Sequence, residues 1–192
     1  MRFIGQNSKR LDATAKVTGE AIFPGDLSMD GMAHMKVLFA GRPHARIRSL
    51  DTSHAEALPG VLAVLTAKDV PINNFGIDIF DQPVLCEDVV RSVGDRVALV
   101  IAESEPIAAK GVALIDVVYE DLPILASPEA ALEPGAPVLH PDQESNVLDT
   151  FRIRKGDIEA GFAKADVIIE ETYTMGAQEH VYMQPDAGLA WV

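Results

Sequence analysis

An α+β fold, in which helices pack on a mixed β-sheet, follows from three features of the sequence. The stretch 94–123 reads as strand, helix, strand, and the stretch 45–71 repeats that pattern. Apolar residues make up 48% of the 192, a proportion that suits a folded, water-soluble core. A helix that joins strands of one sheet must lie on a face of that sheet, so two such units predict one mixed sheet covered by helices.

Residues 1–30 read as an arm with turn residues and little periodicity. Gly19 stands alone there with no strand feeding it, which excludes a phosphate loop. A strand is predicted over 32–40 and a turn at Gly41-Arg42-Pro43-His44. Ala45 to Leu50 alternates as a half-buried strand does. The helix that follows, 51–58, carries Ser53 and Glu56 at capping-box spacing, and Pro59-Gly60 stops it. Val61 to Thr66 is the next strand, closed by Asp69-Val70-Pro71. Between 70 and 82 lies a loop longer than usual connections, a length more common where loops serve function or partners.

Val97 to Ile101 is a continuous apolar run after Gly94-Asp95, the mark of a strand buried on both faces. Ser104, Glu105 and Pro106 then open a helix: a capping hydroxyl, an acid at the positive end of the dipole, and a proline where no N–H is needed. Ile107, Ala108, Gly111, Val112 and Ile115 share one face. A mid-helix glycine costs about 1 kcal/mol relative to alanine, so Gly111 predicts close packing on the sheet. Asp116 to Tyr119 returns to strand, ending at Leu122-Pro123.

A short helix with proline in its first turn is predicted at 127–132, and the Pro-rich passage through 146 is the candidate domain boundary. Beyond it a strand is expected at 151–154, a helix capped by Asp157 at 157–164, and a period-two strand at 166–175. Gly188 to Val192 reads as an apolar strand with no turn or cap after it, from which a truncated protein is expected.

Net charge is −13, which repels a phosphate backbone, so nucleic-acid binding is not expected. No apolar run approaches the roughly 20 residues of a transmembrane helix, and residues 1–10 lack a signal-peptide core, so a cytoplasmic protein without membrane association is expected. Cys86 is the one cysteine. It excludes an internal disulfide or a multi-cysteine cluster, and its Val84-Leu85 context reads as buried packing. The five histidines, His34, His44, His54, His140 and His180, scatter over different elements and predict surface or turn roles. Glu120-Asp121 and Glu170-Glu171 are strand neighbours facing opposite sides, not acid–base pairs. Gln178-Glu179-His180 differs, because a side-chain amide past a strand end, beside Gly176 and Ala177, can donate and accept toward an approaching ligand; a polar turn is the plainer reading.

Several phrases, in order, resemble one family: Arg10-Leu11-Asp12-Ala13 with Lys16 to Ala21, His44-Ala45-Arg46-Ile47, Leu58-Pro59-Gly60-Val61 leading to Leu65 to Pro71, Val93-Gly94-Asp95, Val118 to Pro123, Lys155-Gly156-Asp157 and Gln178-Glu179-His180. The chain resembles the N-terminal part of the molybdenum-binding large subunit of the xanthine dehydrogenase and aldehyde oxidase family, the molybdenum hydroxylases, which include aerobic carbon monoxide dehydrogenase. The resemblance implies an arm at 1–30, an α/β hammerhead domain at 31–142 and the beginning of a molybdopterin-binding domain at 143–192. It implies that Gln178 hydrogen-bonds an oxygen ligand of molybdenum. Ala177 replaces a glycine of some relatives, and Gln184 a glutamate of many. It further implies a molybdenum cofactor in the complete protein, and iron–sulfur clusters and FAD on other subunits or domains. The expected partners are the remainder of the molybdenum-binding subunit, the iron–sulfur and flavin subunits and a small-molecule substrate. None of these cofactors is expected to be bound by this piece alone, which should be inactive. The alternative is a free-standing α+β binding or assembly module without redox activity.

Overall fold

The computed structural model describes residues 4–77, 79–181, 183 and 187–191. They divide into two compact units, Gly31–Arg154 and Met1–Asp30 with Lys155–Val192.

In the second of these, α1 (Ala13–Thr18) ends at Gly19 in the left-handed region, φ 79°, and a single 3₁₀ turn covers Pro24–Asp26. No residue of α1 is buried; what holds its start is charge. Arg10 and Lys16 both reach the Asp12 carboxylate, at 2.5 and 2.7 Å, and lower its pKa to about 2. The arm therefore has a short helix that apolar periodicity does not reveal.

The larger unit carries β1 (His34–Phe39), β2 (Ala45–Asp51), α2 (Ser53–Glu56), β3 (Val61–Leu65), β4 (Asn74–Phe75), β5 (Gln82–Pro83), β6 (Val89–Val90), β7 (Arg96–Ala102), α3 (Glu105–Ala113), β8 (Asp116–Asp121) and α4 (Pro128–Leu132). The strands and helices expected between 32 and 132 are present, but the single mixed sheet is not. Strands β1-β7-β3 form one sheet and β6-β2-β8 another, every pairing antiparallel. Hydrogen-bond capacity rules out only a place for β8 beside β7. A strand has two edges, and β7 gives one to β1 (His34↔Ala102) and the other to β3 (Leu65↔Leu99). After α3 the chain finds no free edge on β7, and β8 pairs instead with β2 from Ala45↔Asp121 to Asp51↔Asp116.

Val97, Ala98, Val100 and Ala102 of β7 are fully buried, as a strand covered on both faces requires. On one side lies α3, whose buried residues are Ala108 and Gly111, with Lys36 of β1 reaching Glu105 at 2.6 Å. On the other, Val97 packs with Ala40, Ala45, Cys86 and Val90, joining the two sheets, and Leu38, Ile47, Leu50, Val117 and Tyr119 surround this cluster. A Cβ on Gly111 would stand 2.7 Å from Val100 Cγ1, so the glycine is there for the helix to approach the strand.

The capping details shift slightly. Ser104 forms no side-chain cap, while the Thr52 hydroxyl, not Ser53, donates to Glu56 at 2.6 Å. Asp157 caps as expected, accepting from Ala160 N–H at 3.0 Å and opening α5 (Ile158–Ala163); Ser127, not singled out in the sequence, also caps, accepting from Ala130 N–H at 3.2 Å. The long loop is partly organised: β4 pairs with β5, and the Asn73 amide clamps Leu85, donating to its carbonyl at 2.8 Å and accepting from its N–H at 3.0 Å. Leu85 is fully buried, so this clamp supplies partners that water cannot.

The strands expected at 151–154 and 166–175 are absent. These residues are exposed, Ile153 at 93% and Tyr173 at 87%, and no strand partner stands beside them among the described residues. An alternating pattern sets which side chains share a face, but a ladder also needs a second strand. Residues 188–191 carry no strand either; Val192 lies outside the described residues.

Replacing Gly111 by alanine tests the helix-to-strand contact. The helix-propensity gain of about 1 kcal/mol is outweighed by a clash with the stiff, buried Val100, for a net loss of roughly 1 kcal/mol in urea unfolding of the full chain. In a Val100→Ala background the same substitution should lose this penalty; additive effects would show that the contact is not the constraint.

Candidate functional site

Gln178 lies in the stretch 176–180, which carries neither helix nor strand and is exposed throughout. Its amide has no hydrogen-bond partner among the described residues. The Glu179 carboxylate accepts the His180 N–H at 2.9 Å, and the His180 ring is 93% exposed. A Cβ on Gly176 would meet nothing within 4 Å, so the backbone beside Gln178 is open to a ligand. Val181, next in the chain, has φ 48°, a region β-branched residues rarely occupy, and nothing in the sequence signals it. Gln184 lies outside the described residues.

The chemistry of this stretch suits hydrogen bonding rather than metal ligation. Among the described residues no group of three His, Cys, Asp or Glu side chains gathers as a metal site. A primary amide, donor and acceptor at once and flanked by small residues, fits the polar edge of a cofactor that brings its own metal ligands. The amide thus has the chemistry that one hydrogen-bonding contact to a bound cofactor uses.

The remaining candidates have structural roles. His44 is buried, its Nδ1 2.6 Å from the Pro123 carbonyl, and its own carbonyl accepts the Leu122 N–H at 3.0 Å, which latches the end of β8. His140 Nδ1 lies 2.9 Å from Asp81. Glu120 pairs with Arg48, whereas Asp121 stands 3.5 Å from Arg42, as neighbours on opposite faces of a strand do. Cys86 is 3% exposed. Burial, and then the nearby Asp95 carboxylate, push its thiol up to about 11. Burial also pulls Asp95 upward, but the Arg91 N–H at 2.6 Å and the Ser92 hydroxyl at 2.8 Å outweigh it and leave that carboxyl below its usual range. Cys86 is inert packing, not a nucleophile.

Open grooves cross the larger unit. One of about 510 Å³ runs past Ile47, Arg48, Thr66, Lys68, Glu87 and Asp88, and one of about 430 Å³ past Arg46, Asn73, Asp81, Arg91 and His140. Both mix charges of opposite sign.

The larger unit is thus two antiparallel sheets tied through one buried cluster, with a helix seated on the central strand. Residues 18–123 match the family model described as aldehyde oxidase and xanthine dehydrogenase, a/b hammerhead domain, and residues 139–192 match the molybdopterin cofactor-binding domain. The chain belongs to the aldehyde oxidase and xanthine dehydrogenase family. It is 50% identical over 182 residues to a probable xanthine dehydrogenase subunit of Bacillus subtilis (strain 168), covering 94% of this chain and 24% of that protein. It is 34% identical over 204 residues to the aldehyde oxidoreductase of Megalodesulfovibrio gigas, covering 100% of this chain and 22% of that protein. Among solved structures, the Cu,Mo-CO dehydrogenase superposes with a TM-score of 0.72 at 36% identity, over 85% of this chain and 23% of that one. The aldehyde oxidoreductase from Desulfovibrio gigas gives 0.69 at 35% identity, over 82% and 19%. The chain thus spans about a fifth to a quarter of the length of these relatives. Among the described residues, no helix is long and apolar enough to cross a membrane.

The raised Cys86 pKa has a pH signature. Its folded value, about 11, exceeds the ordinary 9.0, so its contribution to stability is complete below about pH 9 and is lost as pH rises through about 11. Tyr119 is also raised, by burial, so the Cys86→Ala variant is needed to isolate the thiol, and it should flatten the alkaline fall in urea midpoint. Native protein should resist iodoacetamide at neutral pH and react fully once unfolded; rapid native alkylation would refute the packing role.

Proposed function

We propose that this chain is the N-terminal part of the catalytic subunit of a molybdenum-dependent hydroxylase. In this reading residues 31–142 form a hammerhead scaffold and residues 143–192 open the domain that holds the molybdenum cofactor. The observation that carries it is the pair of family matches in chain order, hammerhead and then molybdopterin-binding domain. The share of each relative's length that the chain covers supports a part rather than a whole.

Gln178 is the residue of this chain that binds the cofactor, its amide hydrogen-bonding the cofactor's polar edge. The cofactor, when bound, supplies two-electron oxidation of a small-molecule substrate. The chain's contribution is positional: the exposed 176–180 stretch offers the amide and an open backbone beside it. The partners in this reading are the remainder of the same subunit and subunits carrying iron–sulfur clusters and FAD. Relatives that are themselves named as subunits, among them the gamma subunit of the 6-hydroxypseudooxynicotine dehydrogenase complex of Paenarthrobacter nicotinovorans, support a multi-subunit assembly. The cytoplasm is the proposed compartment.

In the complete enzyme, Gln178→Ala should lower kcat by about tenfold, the scale of losing one charge-assisted or neutral hydrogen bond of roughly 1.5 kcal/mol, with molybdenum content near that of the wild type. Unchanged turnover would remove the role of Gln178. The 192-residue chain assayed alone should show no turnover.

A further inference from the structure

Asp30-Gly31 is the one Asp–Gly pair in the sequence, which holds no Asn–Gly pair. Glycine lacks the side chain that otherwise crowds the approach of a main-chain nitrogen to the carboxyl carbon of the residue before it. Both residues are exposed in a turn ahead of β1, and Gly31 has φ 73°. An added Cβ there would meet no atom within 4 Å. Among the described residues the Asp30 carboxylate has no hydrogen-bond or ion-pair partner, and the Gly31 N–H donates to none.

Other aspartates are held differently. Asp12 is paired with Arg10 and Lys16, while Asp51, Asp69, Asp95 and Asp157 accept main-chain N–H groups of Ser53, Thr66, Arg91 and Ala160 at 2.9, 2.7, 2.6 and 3.0 Å. Each is followed by a residue with a side chain.

We propose that Asp30 is a modification site, where the main chain isomerises spontaneously to isoaspartate through a succinimide. The Gly31 nitrogen attacks Cγ of the protonated Asp30 carboxyl. A C–N bond forms, and the carboxyl hydroxyl leaves with the amide proton as one water. A water then reopens the ring. Cleavage at Cγ restores aspartate. Cleavage at the main-chain carbonyl routes the backbone through Cβ and Cγ and frees an α-carboxylate, with no net change in mass and no redox partner. The product adds a methylene to the main chain just before β1, whose ladder with β7 begins at His34↔Ala102. It is also a substrate for methyltransferases that esterify isoaspartyl carboxylates with S-adenosylmethionine.

The test incubates the folded full chain at body temperature and neutral pH and digests it with trypsin. The peptide 17–36, which contains both Asp26 and Asp30, is then read by electron-transfer fragmentation, with methyl labelling by an L-isoaspartyl methyltransferase in parallel. Isoaspartate should accumulate at Asp30 and not at Asp26, and the label in this peptide should be lost in Asp30→Glu, whose longer side chain closes a ring poorly. No isoaspartate at Asp30 in the folded chain, whether or not the denatured peptide forms it, overturns the proposal, as does equal labelling of Asp30→Glu.

Discussion

The close contact of α3 with β7 is the constraint on which the larger unit depends. Val100 is fully buried beneath Gly111, and the space between them is too small for a methyl group. Because β7 is hydrogen-bonded along both edges and packed on both faces, it fixes the positions of β1, β3 and α3 at once. Through Val97 it also reaches the buried cluster that ties in the second sheet. The helix-propensity cost of a mid-helix glycine, about 1 kcal/mol, is small beside the burial this approach permits.

The division of labour follows. The larger unit holds nearly all of the buried side chains, including His44 and the Asn73 clamp on Leu85, whereas the residues around Gln178 are exposed and free of ladder hydrogen bonds. The Asp157 cap of α5 and the Asn146 amide, which bonds Ala131, Pro137 and Leu139, hold the intervening chain locally. These are polar, short-range devices, so this part of the chain is organised by hydrogen bonds more than by burial.

What was legible in the sequence was local. Val97 to Ile101, the Ile107, Ala108, Gly111 face and the Asp157 cap depend on neighbours a few residues away, and each appears in the structure. The division into two sheets was not legible, because which strands pair is decided between segments distant in sequence, β7 with β1 and β3 and β8 with β2. Strand β4 pairs through only Asn74 and Phe75, too short to show a period. At 166–175 the alternation is clear yet no strand forms, since a pattern names a face and not a partner. Gln178 stood out as a polar residue beside small ones, but its assignment to a cofactor rested on resemblance to a family, and its exposed amide fits that assignment without singling it out.

Native-state hydrogen exchange on the 192-residue chain addresses the claim that β7 organises the fold. Amides of 97–102 should exchange only through global unfolding, matching the free energy from urea, while those of 166–175 should exchange with little protection. Equal protection in the two segments, or early exchange in β7, would contradict the account.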